Sequence, residues 1–366
     1  MDVQKIYFDM DSVLADFERG VRELCGMTPP SQNGAKNAKA DDEMWDRIRK
    51  YEEKIDRTVR VRGNACWLWR IQFCTGSYDE KANAYTSVYD DSVYAAMCYC
   101  PIADIENADL AYAWMRYDST KDASGKLTAT AGSYDFTEFQ LALQQDEAYA
   151  FAEYINSLQL KDENGDPLSF DVKDADGKLD LRAGSYYKKT LENISDALNA
   201  ALAVQEDPEG YLLDNYGDTS SWLTKKEDGT YAVTDLAASV AKLLKDNYER
   251  YSTLDGFDQD TVDTFIDHAL TGEGAEAIAN HEYLVNATHI MLDIAAGKQD
   301  ADIAKYWRTR NGTADQHTSF SVAYNITRAA QMAGADVDYA LVWAMGHGSN
   351  EGTTTGTFVD WIKSIV

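Results

Sequence analysis

Positive charge is scarce in this chain. It sets 34 Lys and Arg against 62 Asp and Glu, a formal net charge of −28. Nucleic-acid affinity comes largely from Lys and Arg on phosphates, so the expectation is no unaided binding to DNA or RNA. An anionic membrane surface would repel the chain for the same reason. The opening "MDVQKIYFDMD" lacks the apolar run of a secretion signal, and no stretch approaches ~18 uninterrupted apolar residues. Cysteine is sparse as well. Cys25, Cys66, Cys74, Cys98 and Cys100 are odd in number and form no C-x-x-C zinc pattern. The expectation is reduced thiols in a cytoplasmic protein.

What is present begins with apolar material, 45% of 366 residues, which is ample for a core and more chain than one typical core needs. One large domain with an insertion, or two domains, is expected. "VQKIYFDMDSVLADF" opens with a short apolar strand that stops at Asp9, and residues 13–25 read as a helix. A polar loop with Pro29, Pro30 and Gly34 leads to a second helical stretch, "DDEMWDRIRKYEEKIDR". Residues 61–76, "VRGNACWLWRIQFCTG", are rich in Trp and Cys and show no clear period. "VYAAMCYCPI" (93–102) reads as a buried strand ended by Pro101.

From about 105 to 300 the spacing of apolar residues is mostly near 3.6. "EFQLALQQDEAYAFAEYINSL", "KKTLENISDALNAALAV", "TDLAASVAKLLKDNYERY" and "EAIANHEYLVNATHIMLDIAAG" read as helices. "ENGD", "ADGK" and "EDGT" interrupt them with the N-G and D-G pairs of tight hairpins. "DVKDADGKLDL" has the outline of a calcium loop. Val172 stands where the first ligand should be, however, and no Glu closes it, so a hairpin turn is expected. The last 65 residues alternate regularly. "IAKYWRTR" is a strand, "FSVAYNITRAAQMAG" a helix, "VDYALVWAM" a strand, "GHGSNEGTTTG" a loop and "TFVDWIKSIV" a helix. That order implies a parallel sheet with right-handed crossovers. The fold class is therefore α/β, with "CYCPI", "IAKYWRTR" and "VDYALVWAM" in one sheet. "QKIYFD" is expected to add to its open edge.

In open parallel sheets, reactive groups collect on loops at the carboxyl ends of strands. Asp315 and His317 lie on one such loop, and His347 lies on the next, between two glycines. An acid beside an imidazole fixes its tautomer and stabilises its charged form. On the residues alone, Asp315 as a helix cap and His347 as a plain loop residue remain an equal alternative. Asp104 and Glu106 fall on the same edge, after "CYCPI". His268, His281 and His289 lie in the helical stretch. The last two are eight apart rather than four, so packed or surface histidines are expected before a metal pair. Trp114 and Trp222 read as core first and pocket lining second.

"YWRTRNGTADQHTSFSVAYNI", "VDYALVWAMGHG" and "CYCPIADIENADLAYAWM" resemble the C-terminal part of α/β-hydrolases of the tannase and feruloyl-esterase-like group, over roughly residues 75–366. The resemblance implies an incomplete α/β-hydrolase parallel sheet, with a large, mainly helical lid insertion over about 105–300. It implies Asp315 as catalytic acid and His347 as base, and it puts His317 at a substrate-binding position. A carboxylate there would bind galloyl hydroxyls, so the histidine departs from gallate specificity. Asp104 is a second candidate for substrate contact. The implied substrate is a small aromatic or short-chain ester, cleaved through an acyl-serine without a cofactor. Such a serine belongs on a G-x-S-x-G elbow, and no G-x-S-x-G occurs in the chain. Where the elbow should lie the chain reads "RGNACWLWRIQFCTG". Ester hydrolysis is expected to be feeble at most, with Ser77, Cys74 and Cys66 nearest the missing elbow.

"IYFDMDSVLADFERGVRELCGM" resembles haloacid-dehalogenase-type phosphatases, most closely the 5′(3′)-deoxyribonucleotidase-like members. That implies Asp9 as nucleophile, Asp11 as acid/base, and Mg²⁺ on Asp9 and the Asp11 carbonyl. Ser12 replaces the usual glycine, and after about residue 58 the remaining motifs of that family do not follow. The expected division is a phosphatase-like fragment over 1–58 and a hydrolase portion over 59–366. An ester hydrolase-like protein comes first, a Mg²⁺-dependent nucleotide phosphatase second. A non-catalytic fusion or mis-assembled product, from a reading frame altered around codons 50–76, comes third. The expected partner is a small ester, with no nucleic acid and no membrane, and the oligomeric state is left open.

Overall fold

A computed structural model describes residues 76–79, 84–87, 95–104, 107–117, 119–121, 123–124, 127–129, 138–243, 286–299, 303–348, 351–352 and 354–365. The expected N-terminal strand, Asp9, Asp11, the whole 1–58 segment, Cys66, Cys74, Glu106, His268 and His281 lie outside these residues.

The described chain begins with an antiparallel pair, β1 (Gly76–Asp79) and β2 (Ala84–Ser87). β3 (Ala95–Tyr99) and α1 (Ala108–Arg116) follow. A short hairpin, β4 (Ser119–Lys121) and β5 (Leu127–Ala129), leads to α2 (Glu138–Leu158), α3 (Ser185–Leu202) and α4 (Pro208–Tyr216). A second hairpin, β6 (Leu223–Lys225) and β7 (Tyr231–Val233), precedes α5 (Leu236–Leu243) and α6 (Ala287–Ala295). The chain closes with β8 (Tyr306–Gly312), α7 (Phe320–Met332), β9 (Asp336–Val342) and α8 (Phe358–Ile365).

Among the described residues, β3, β8 and β9 form one three-stranded sheet, with β8 in the middle and both pairings parallel. This is the sheet that the alternation of the closing residues implies. Side chains of β8 alternate between its faces. On one face Thr309 accepts hydrogen bonds from Trp307 Nε1 (3.0 Å) and from the Thr327 hydroxyl of α7 (3.0 Å). On the other, Arg308 and Arg310 are both 2% exposed and share one carboxylate. Arg310 Nη2 donates to the two Asp338 oxygens at 2.8 and 3.0 Å, and Arg308 pairs with Asp338 directly across the ladder. Arg308 also donates to the Gly356 carbonyl (2.9 Å), and Tyr99 donates to the Glu351 carboxylate (2.6 Å). Residues of the stretch before α8 therefore cover the arginine face.

Helix ends follow local chemistry. Asp207 caps α4 by accepting from Gly210 N (3.0 Å), with Pro208 at the first helical position. The Ser319 side chain accepts from Ser321 N to start α7, and Gly334 at φ +102° follows its end. One expectation changes. "EAIANHEYLVNATHIMLDIAAG" is not one helix through its length. Asn286 is non-helical and its side chain accepts from His289 N (2.9 Å), so α6 begins at Ala287. The three turn signals do make turns, with Gly165, Gly177 and Gly229 at φ +88°, +84° and +86°. In "DVKDADGKLDL" the Asp174 carboxylate accepts from the Asp176 and Lys178 amides, a tight turn within a Val172–Leu179 bridge.

The helices between β3 and β8 share one hydrophobic core with the sheet. Trp114 is fully buried, stacks on Phe151 (5.1 Å) and donates to the Leu181 carbonyl (3.0 Å). Tyr186 of α3 donates to Asn325 of α7 at 2.7 Å. Trp222 stacks on Trp343, and Trp343 Nε1 donates to the Tyr216 hydroxyl (3.0 Å). Both tryptophans singled out in the sequence are thus core residues. No helix among the described residues is long and apolar enough to cross a membrane.

Candidate active site

β8 and β9 are parallel neighbours, so the loops leaving them emerge side by side. The first residues after β8 are tied to the loop after β9. Thr313 N donates to the Val342 carbonyl (3.0 Å) and Ala314 N to the Met345 carbonyl (2.9 Å). Gly312 permits this approach, because a β-carbon there would overlap the Met345 carbonyl. Ala344 turns at φ +56° and its amide donates to Thr313 Oγ1 (2.8 Å). That turn ends β9 at Val342, short of the Met345 expected from the apolar run.

Asp315 stands on the first loop with its side chain fully buried. Its Oδ1 accepts from the amides of His317 (2.8 Å) and Thr318 (3.0 Å). Its carboxylate also meets His347 of the second loop, with Nδ1 at 3.2 and 3.1 Å from the two oxygens. Ser319, not Asp315, caps α7. The carboxylate selects the tautomer with hydrogen on Nδ1 and leaves Nε2 as a proton acceptor. The His347 side chain is 43% exposed, so the acceptor reaches solvent. The His317 ring lies 5.3 Å from that of His347, nearly perpendicular to it. A buried acid, an oriented imidazole and a second imidazole thus lie side by side. The set can accept a proton from a hydroxyl and return it to a leaving group.

Two further side chains join the cluster from elsewhere. Cys100 follows β3 at φ +46°, anchored by its amide on the Arg310 carbonyl (2.9 Å). Its thiol donates to the Gly348 carbonyl (3.5 Å) and lies beside the Asp315 carboxylate. Burial, and then the nearby Asp315 charge, push that thiol up to about 12. It is protonated at neutral pH and stands on the acid side of the imidazole, the wrong side for a nucleophile served by Nε2. Tyr112 of α1 donates to the Asp315 carbonyl at 3.2 Å. Cys100, Asp315 and His347 place one ligand atom each within 4.8 Å of one another, a grouping able to hold a metal ion. No motif in the sequence singles out Cys100 or Tyr112 as part of this cluster.

Asp104 is placed differently. It is fully buried and accepts from the Tyr154 hydroxyl (2.6 Å), Asn107 Nδ2 (2.8 Å) and Asn286 Nδ2 (3.1 Å). Burial raises its pKa against the pull of those donors. The carboxylate joins α1, α2 and the start of α6. His289 packs its ring 5.6 Å from Tyr154, and burial lowers its pKa. Ser77 lies in β1.

No protein-family model and no curated protein matches the sequence. Among solved structures the chain resembles tannases. A Fusobacterium nucleatum tannase matches with TM-score 0.52 at 20% identity, over 81% of this chain and 65% of that one. A Lactobacillus plantarum tannase matches with TM-score 0.52 at 18% identity, over 83% of this chain and 65% of that one. The native tannin acyl hydrolase of Lactobacillus plantarum matches with TM-score 0.50 at 18% identity, over 76% and 58%. The chain spans less than two thirds of the length of these proteins. At such identity the likeness establishes a shared fold, a mixed α/β architecture with a parallel sheet.

Proposed function

We propose that the chain carries the acid and base of a carboxylic ester hydrolase of tannase type. The observation that supports this best is the Asp315–His347 contact, 3.1 Å at the ends of neighbouring parallel strands. In this reading His347 Nε2 takes the proton of an attacking hydroxyl or water and delivers it to the leaving alcohol. Asp315 holds the ring by Nδ1–H and balances the imidazolium that forms. His317 contacts the bound ester, a small aromatic or short-chain one. The chemistry needs no metal or cofactor. The solved structures that share the fold are called tannases, which is consistent with acyl transfer to water.

Residues of about 105–300 would serve as the lid over this site, with 59–366 as the hydrolase portion and 1–58 apart from it. The compartment fitting its thiols is the cytoplasm. No nucleophile is assigned, since the sequence lacks a G-x-S-x-G elbow. The chain alone should therefore turn over esters slowly.

The test is hydrolysis of a p-nitrophenyl ester and of methyl ferulate by this chain. A chimera carrying the elbow-bearing front of a solved tannase is assayed beside it. Slow hydrolysis by the chain and faster hydrolysis by the chimera are expected. His347→Ala and Asp315→Asn should each lower the chimera's kcat by about 10²–10⁴-fold. An active chimera indifferent to both substitutions would overturn the proposal.

A further inference from the structure

We infer that Cys100, Asp315 and His347 form a binding site for one thiophilic divalent cation of the zinc class, whose occupancy blocks the acid–base pair. The binding half stands on geometry alone, whereas the blocking half rests on the ester hydrolase reading.

Three different ligand types converge here: a thiol sulfur, a carboxylate oxygen and an imidazole nitrogen, all within 4.8 Å. Zinc takes sulfur at ~2.3 Å and nitrogen or oxygen at ~2.0–2.2 Å, so neighbouring ligands of a tetrahedral ion stand roughly 3.3–3.7 Å apart. His347 Nδ1 already lies 3.1 and 3.2 Å from the Asp315 oxygens. That pair needs only a slight spreading to admit an ion, and rotation of the thiol closes the third side. The ligands follow β3, β8 and β9, the three strands of one sheet, so the ladder fixes their backbones. The amides of His317 and Thr318 hold Asp315 Oδ1 from behind, as outer partners commonly orient a metal's carboxylate. Two ligands are buried and the third is 43% exposed, which gives the ion a way in and leaves a fourth position for water.

The donor set decides which ion. Magnesium and calcium take oxygen ligands, usually six or more, whereas one sulfur, one nitrogen and one oxygen suit zinc, cadmium or cobalt. On binding, the thiol proton leaves to solvent. The consequence for catalysis follows from the ring. A neutral imidazole that ligates through Nδ1 carries its hydrogen on Nε2. The nitrogen that should accept a proton becomes a donor, and Asp315 is turned from the ring to the ion. Occupancy and general-base action therefore exclude each other.

The tag-free chain is titrated with Co²⁺, followed by thiolate-to-metal charge-transfer absorption, and with Zn²⁺ by calorimetry. Mg²⁺ is titrated as a control. One ion per chain and a thiolate band are expected, with no heat from Mg²⁺. Cys100→Ala should lose the band, and Asp315→Asn should weaken Zn²⁺ binding by at least about tenfold. Circular dichroism of both variants confirms folding, and the conservative Cys100→Ser serves should Cys100→Ala unfold. A band that persists without Cys100 belongs to another thiol and overturns the site, as does an absence of binding. These arms need no ester activity, so they separate failure of the site from failure of the functional reading. In the active chimera, Zn²⁺ should suppress hydrolysis, and Cys100→Ala should relieve the suppression. Full activity with the ion bound overturns the blocking half alone.

Discussion

The α-carbon of Gly312 lies so close beneath the carbonyl of Met345 that a β-carbon on residue 312 would overlap it. The carbonyl has little room to retreat, since Ala314 N holds it at 2.9 Å. Gly312→Ala should therefore cost about 2–3 kcal/mol in urea unfolding, through strain in a packed site. Gly346→Ala, where nothing lies within 4 Å of the added carbon, should stay within about 0.5 kcal/mol. Equal effects at the two glycines would show that the approach is unimportant.

Asp338 is the shared counter-ion of two buried guanidiniums. Burial pulls the pKa of Arg310 down and the Asp338 charge opposes that pull. Removing the acid would leave two uncompensated cations inside the fold. Asp338 is itself 38% exposed in its side chain, so the lower end of the usual cost applies. Asp338→Ala should lose about 3 kcal/mol of stability by chemical denaturation. Arg310→Lys should also destabilise, because an ammonium cannot span both carboxylate oxygens. A change under about 0.5 kcal/mol in both variants would refute the shared role.

Glu147 gives a pH signature. Burial, followed by Asp109 and Asp146, pushes it from its ordinary 4.5 up to about 7. The folded state then keeps a proton that the unfolded chain has released, so stability falls as pH rises from about 4.5 to 7. The group costs nothing below this window and most above it. Glu147→Gln removes the charged form, and its melting temperature should exceed the parent's by a few degrees at pH 8 and match it at pH 4. A gain of the same size at both pH values would rule out this origin.

Thr313 positions the base without touching substrate. Its hydroxyl accepts the Ala344 amide at the left-handed turn that leads to His347. Thr313→Val keeps the shape and removes the acceptor. In the active chimera kcat should fall about tenfold with KM nearly unchanged, the pattern of a misplaced general base. A change in KM alone would assign Thr313 to the ester instead.

The closing strands and helix were legible because their periods are regular and their loops short. "FSVAYNITRAAQMAG" becomes α7 almost residue for residue, ended by Gly334. Where the reading went astray, the deciding partner was distant or a cap. β9 stops at Val342 because Ala344 bends toward Thr313, 31 residues earlier, and no local pattern carries that bond. α6 begins only at Ala287 because Asn286 turns its side chain to the backbone, an option that apolar periodicity does not weigh. The pairing of Asp315 with His347 was readable as a possibility from two loops after two strands. The arrival of Cys100 and Tyr112 beside them depends on how β3 and α1 pack, which spacing along the chain does not encode.

The parallel ladder sets Gly312 opposite Val342. The acid stands three residues beyond the first and the imidazole five beyond the second. A slip of two residues would keep every side chain on its own face, and the sheet would still look sound to circular dichroism. It would carry the two loops about 7 Å apart, further than any hydrogen bond reaches. The Asp315–His347 separation is thus a gauge of strand alignment. In a sample holding both alignments, the His347 imidazole would give two signals, one from molecules joined to the acid and one from molecules adrift of it.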